Sequence, residues 1–147
     1  MFKRKITVLI IFILSASLLA ASGCSSAEAD REYIDFAEDA AEEYLVAANN
    51  RDFPAFSAHL SKEMEAALPE AEFLKFAGQM EAMIGKYIEG SKEFVKLEKK
   101  SGYIIIVYDT EYTDEPAGVE FRLTLQKVEG EIKIAGSWFN SPKLRGE

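Results

Sequence analysis

A change of hydrophobic period at Gly85 constrains this chain more than any other feature. Before it, apolar residues recur three and four apart. After it, they alternate. The first stripe runs through Tyr33, Phe36, Ala37, Ala40, Tyr44, Ala47 and Ala48, the spacing of one buried helix face. Glu32, Asp35, Glu38, Asp39, Glu42 and Glu43 fill the opposite face, which reads as solvated. The "NNRD" stretch breaks the pattern, with Asp52 as helix cap and Pro54 in the first turn of the next helix. Phe53, Phe56, Leu60, Met64 and Ala67 make the second stripe. Pro69 ends it, and Phe73, Phe76, Ala77, Met80 and Ile84 make the third.

Beyond Gly85 the pattern predicts strands over Tyr87–Lys99, Gly102–Thr113, Gly118–Val128 and Glu131–Phe139. The clearest alternation sets Val119, Phe121, Leu123 and Leu125 against Glu120, Arg122, Thr124 and Gln126. Lys100-Ser101-Gly102 and Glu129-Gly130 supply tight turns, and Asp114 to Gly118 a longer one. Helices followed by a strand meander give an α+β domain, three N-terminal helices packed on a four-stranded antiparallel sheet. The expected domain covers residues 31–140, and 141–147 is expected to be a flexible tail.

The N-terminus carries different information. Lys3, Arg4 and Lys5 precede an apolar run from Ile6 to Ala21, and no acid occurs before Glu28. At 16 residues the run falls short of the about 20 that span hydrocarbon. A basic segment and then a short apolar one is the layout of a secretory signal, assigned here to residues 1–23. The run ends "LLAASGCSS", and Cys24 is the only cysteine. Small residues followed by cysteine resemble the lipobox of prokaryotic lipoproteins, with Ala21 where leucine is commonest. That resemblance implies a diacylglyceryl group on the Cys24 sulfur, fatty acylation such as palmitate, and attachment to the outer face of the cell membrane. Residues 24–30 then form the lipidated end and a short polar tether.

Cleavage before Cys24 removes three basic residues and no acid. The 17 Lys and Arg against 25 Asp and Glu become 14 against 25, and the net charge moves from −8 to −11. Such a surface repels phosphate backbones, so no nucleic-acid partner is expected. It repels anionic headgroups too, which leaves membrane attachment to the lipid anchor.

The domain itself resembles the cystatin-like, nuclear transport factor two-like superfamily, three helices and then a strongly curved antiparallel sheet that form a cone. "YLVAANNRDFPAFSAHLSKEM" and "VEFRLTLQKVEGEIKIAGSWFNS" carry the resemblance, which spans about Asp30 to Ser141 and is nearest to small secreted members of unknown function. Superfamily enzymes place a carboxylate or His base and often a Tyr or acid donor inside the cone, because an enolate must be both formed and held.

Candidates for that pair are few. His59, the only histidine, lies beside the second stripe. It either borders the cone or makes one ordinary surface hydrogen bond. In "YIIIVYDTEYT" one face carries Tyr103, Ile105, Val107, Asp109 and Glu111, the other Ile104, Ile106, Tyr108, Thr110 and Tyr112. Both begin apolar, so the facing stays open. The first inward makes Asp109 a buried base; the second lines a pocket mouth with Tyr108 and Tyr112. Trp138 at the end of the last strand is a further binding candidate. No second His or Cys completes a zinc site, and no calcium-loop or phosphate-loop spacing occurs. No cofactor or metal is therefore expected.

Two functions follow. One is a non-catalytic lipoprotein that binds a small apolar ligand in the cone, or a protein partner or second copy through the sheet. The alternative is an isomerase- or hydratase-type enzyme with Asp109 or His59 as base and Tyr108 as donor.

Overall fold

A computed structural model describes residues 24–147. Residues 1–23, expected to be a signal, and the side chains of Cys24 and Ser25 lie outside the described residues. The chain divides into two compact units, Met1–Arg31 and Glu32–Glu147. The described part of the first is helical backbone; apart from the start of the first helix, everything below concerns the second. Among the described residues no helix is long and apolar enough to cross a membrane.

Helix α1 (Cys24–Asn50) contains no Gly or Pro, so nothing interrupts it. It also takes in Ser25–Ala29, where a polar tether was expected. It ends in a Schellman motif. Arg51 takes a left-handed backbone (φ 53°), the Arg51 N–H donates to Ala48 O at 3.3 Å, and the Asp52 N–H donates to Ala47 O at 2.9 Å. Asp52 then caps α2 (Phe53–Ser57) by accepting from the Ala55 N–H at 3.1 Å, as its sequence context indicates.

The second expected helix is two. After α2 the chain leaves helical geometry and pairs beside a sheet strand. The Ser61 N–H donates to Ile134 O, and the Ile134 N–H to His59 O, both at 2.8 Å. Ser61, buried, then caps α3 (Lys62–Ala67) through the Met64 N–H. Backbone groups on an exposed sheet edge need partners, and residues 59–61 supply them at the expense of continuous helix. With α4 (Glu70–Ile84) and the C-terminal α5 (Pro142–Arg145) the described helices number five rather than three.

The sheet is a meander in the order β1 (Glu93–Lys100), β2 (Tyr103–Tyr112), β3 (Glu115–Val128), β4 (Glu131–Asn140), all antiparallel. Two hairpin turns use paired left-handed residues, Ser101-Gly102 and Glu129-Gly130. The third is tighter than expected. Tyr112 pairs with Glu115 across Thr113-Asp114, next to a bulge between Thr110 and Tyr112, so residues 115–118 belong to β3 and not to a loop. Residues 87–92 are not strand. Tyr87 makes a lone bridge to Tyr112, and the Asn49 side chain clamps the Tyr87 N–H and O at 2.9 and 2.8 Å.

The two sheet edges differ. β4 is paired at Ile134 by residues 59–61. β1 pairs only with β2, and it carries a bulge between Phe94 and Lys96 together with Lys96, Lys99 and Lys100, devices that discourage further pairing.

The tail expected to fray is instead anchored. Glu115, 4% exposed, accepts from the Lys143 N–H at 3.0 Å and the Ala117 N–H at 3.3 Å. Ser141 caps α5 through the Leu144 N–H, and Gly146 closes it in left-handed geometry. Sequence locality hid this, because the acceptor lies some 28 residues upstream.

Between helices and sheet lies one aromatic core. Tyr44 packs on Phe56 at 4.2 Å between ring centres, Phe56 on Phe73 at 4.3 Å, and Phe121 on Phe139 at 4.8 Å. Ile84, Ile106, Leu123, Leu125 and Ile134 fill the rest. Full burial of each large side chain contributes about 1.5–3 kcal/mol.

Candidate functional site

The facing of β2 follows from burial. Ile106, Tyr108, Thr110 and Tyr112 are buried against the helices, while Asp109 and Glu111 are exposed on the opposite side. Asp109 stands between Glu93 and Glu120 in a cross-strand row on the outer face. It is not a buried base. Nor does His59 border the interior. Its Nε2 lies 2.9 Å from Glu43 Oε2 at the surface, with the ring edge-on to Phe36 at 5.6 Å. Neither base candidate is brought to Tyr108, because adjacent strand residues face opposite ways and His59 follows the detour to β4.

Tyr112, 8% exposed, borders both a small cavity and an open hollow at the end of the sheet. It packs against Tyr87 at 5.8 Å. Burial, then the charges of Tyr87 and Tyr44, pushes its hydroxyl pKa well up. Tyr44 is likewise raised by burial, partly offset by its 2.7 Å hydrogen bond with Ser137 Oγ. A cavity of about 20 Å³ sits between Phe76, Met80, Tyr112 and Phe139, room for about one water. A larger open hollow of about 660 Å³ lies at the end of the sheet by Glu93, Asp109, Glu111, Glu120, Pro116 and Arg145. Among the described residues no group of three His, Cys, Asp or Glu is placed to hold a metal.

Trp138 lies on the outer face and is 50% exposed. It is paired across strands with Arg122, whose guanidinium sits 5.3 Å from the indole centre. Arg122 Nε donates to Glu120 Oε1 at 2.6 Å and its Nη1 is 3.6 Å from Glu98 Oε2. Lys96 Nζ meets Glu98 Oε1 at 2.6 Å, and this hydrogen bond above all holds the Glu98 carboxyl below the usual range. Val107, the cross-strand neighbour of Lys96 and Arg122, is buried beneath them. The result is an ordered Trp–Arg pair set among charges of both signs, the residue types that dominate protein interfaces.

A second cluster had no signal in the sequence. Lys92, only 7% exposed along its side chain, forms an ion pair with Glu38 and lies 3.9 Å from Glu42 Oε2. Its Nζ sits over the Tyr108 ring, 5.6 Å from the centre. Glu42 also accepts from the Tyr87 hydroxyl and the Gly90 N–H, both at 2.8 Å. Burial first, then the bond to Glu42, leaves the Tyr87 hydroxyl pushed up to about 12. Glu38 and Glu42 belong to the acidic face that reads as solvated, and Lys92 lies some 54 residues from Glu38. Only the folded chain joins them.

No family model matches the chain, and neither does any curated protein. Among solved structures it is similar to three NTF2-like proteins of unknown function. That of Shewanella baltica OS155 shares 11% identity over 75% of this chain and 93% of that one, with a TM-score of 0.49. That of Pseudomonas putida KT2440 shares 12% over 80% and 88%, at 0.46. That of Cytophaga hutchinsonii ATCC 33406 shares 18% over 75% and 94%, at 0.36.

Proposed function

We propose that the chain is a lipid-anchored, non-catalytic binding protein outside the cytoplasmic membrane, and that a second copy docks on the outer face of its sheet. One observation carries the docking: half-exposed Trp138 held over Arg122. The interior supports the same reading, because aromatic side chains occupy it and the base and donor of an isomerase or hydratase stand apart. Lys96, Glu98, Glu120 and Arg122 present both charge signs around the indole. A two-fold arrangement can set each sign against its opposite. The anchor rests on Cys24 behind its apolar run.

Sedimentation of the purified protein tests the docking. The expected result is a dimer that Trp138→Glu converts to a monomer with an unchanged circular dichroism spectrum, and a thermal midpoint that depends on concentration only in wild type. A monomeric wild type refutes it. Labelling growing bacterial cells with a fatty-acid analogue tests the anchor. Wild type takes the label and Cys24→Ser does not; equal labelling with retained membrane attachment refutes it.

A further inference from the structure

We propose that the two copies meet with their strands reversed, so that the acidic end of each outer face lies over the lysine-bearing end of the other and each Trp138 seats on its partner's Gly136. The arrangement rests on the sheet-face docking and adds its orientation and the residues that fix it.

The outer face is built of cross-strand rows about 7 Å apart, since same-face residues recur every second position. Glu93, Asp109 and Glu120 form the end row. Like charges directly opposite each other across strands destabilise a sheet. Of these three, among the described residues, only Glu120 has an ion pair, with Arg122 at 2.6 Å. The second row holds Lys96, Val107, Arg122 and Trp138, and the third Glu98, Ile105, Thr124 and Gly136. Two residues further along each strand, Lys100 pairs with Tyr103 and Lys133 with Gln126, which makes the fourth. Carboxylates and cations thus alternate from row to row, with the carboxylates gathered at one end and lysines at the other.

In aligned packing of two sheets the strand directions stay within about 30° of each other. A two-fold axis in the interface then runs either along the strands or across them. Along the strands, it lays every row on itself, carboxylates on carboxylates. Across the strands, it reverses the order of the rows and keeps each strand over its own counterpart. Only an axis centred between the second and third rows pairs all four rows. It sets Glu93, Asp109 and Glu120 over the row of Lys100 and Lys133, and Lys96 and Arg122 over the row of Glu98. Both pairings join opposite signs.

The same operation brings Trp138 of each copy onto Gly136 of the other, because both lie on β4 in those two central rows. Nothing within the chain calls for glycine there. Its backbone is not left-handed, and an added Cβ would meet only Thr124, at 3.7 Å, an ordinary contact. The bulge beside it does not require glycine either, since only the left-handed kind of bulge does. Glycine is disfavoured inside strands and often marks the close approach of a ligand or another backbone. A bare strand position beside Thr124 is the open seat that a half-exposed indole needs.

Sedimentation of two charge-reversed variants, alone and mixed, tests this. Glu93→Lys with Asp109→Lys reverses the end row, and Lys100→Glu with Lys133→Glu reverses the fourth. Each variant alone sets like charges together across the axis and should dimerise about tenfold more weakly than wild type. Mixed in equal amounts, the two should form a mixed dimer at concentrations where neither pairs with itself, because each reversed row again faces its opposite. A variant that had merely failed to fold would not recover on mixing. Gly136→Gln fills the seat of Trp138 and should weaken the dimer about tenfold, with an unchanged circular dichroism spectrum. A monomeric wild type refutes the docking itself. A wild-type dimer that Trp138→Glu breaks, but that withstands either row reversal or Gly136→Gln, overturns the orientation and leaves the docking standing. So do reversed variants that stay monomeric when mixed.

Discussion

Replacing Gly85 by alanine should be among the most damaging single-methyl additions available to this protein. Gly85 ends α4 at φ 80°, ψ −154°, a region that is essentially glycine-only and costs any other residue about 1–3 kcal/mol. Space is lacking as well. An added Cβ would overlap Thr113 Oγ1 and lie 2.9 Å from the Asp114 nitrogen. Neither neighbour is free to move. Thr113 Oγ1 accepts from the Lys86 N–H at 3.0 Å, and the Asp114 N–H donates to Ile84 O at 3.0 Å. Turning the threonine away forfeits one hydrogen bond, about 0.5–1.5 kcal/mol. Together these give roughly 2–4 kcal/mol, or a midpoint lowered by about 10 °C for a domain of this size. Urea unfolding followed by far-ultraviolet circular dichroism measures it. Adding Thr113→Ala removes the overlapping oxygen and leaves the backbone penalty, so the double variant should lose about 1 kcal/mol less than the two single losses combined. A Gly85→Ala protein within about 0.5 kcal/mol of wild type, the range of an ordinary surface change, refutes the reasoning.

Three further outcomes are expected. Burial pushes the Glu115 carboxyl up, but hydrogen bonds from the Lys143 N–H, Ser141 and the Ala117 N–H, with the Lys143 charge, more than offset this and hold it below the usual range. Its contribution is therefore complete above the unfolded value of about 4.3 and is lost as pH falls through the lower folded value. Amide protection at Lys143, measured relative to the intrinsic exchange rate at each pH, should fall on acidification in wild type and be low at every pH in Glu115→Ala; equal protection profiles would contradict the assignment. Glu129 sits at φ 51° in a two-residue hairpin turn, so Glu129→Asn should stabilise by about 0.5–1 kcal/mol in thermal unfolding, and a loss would show that Glu129 makes an unrecognised contact. Phe56→Ala, which empties a fully buried site between Tyr44 and Phe73, should cost about 3–5 kcal/mol in the same assay, and a cost below about 1 kcal/mol would mean the core is not packed as described.

Features set by a few neighbouring residues were legible in the sequence. Gly85, the caps at Asp52 and the turns at Ser101-Gly102 and Glu129-Gly130 all lie where local chemistry puts them. What was not legible is non-local. The facing of β2 stayed open because Ile104 to Val107 are apolar on both sides, and the structure explains why: Val107 is buried on the outer face under Arg122 and Lys96. The break inside the second stripe depends on Ile134, some 70 residues away, whose open edge competes with a helix that the local spacing favours. The anchored tail depends on Glu115. Of the site residues, Tyr108 was identified by alternation, but the lysine and carboxylate beside it come from remote segments that carry no shared pattern.

The unequal sheet edges set a limit on stoichiometry. Growth of a ribbon or fibre by strand addition requires each unit to offer two free edges, one to receive and one to pass on. Here residues 59–61 bond to the β4 side at Ile134, and the β1 side is bulged and lined with lysines. Should the β1 edge ever pair with its counterpart on another copy, both free edges are consumed in the act. Edge association through β1 therefore terminates at two copies, whatever the local concentration.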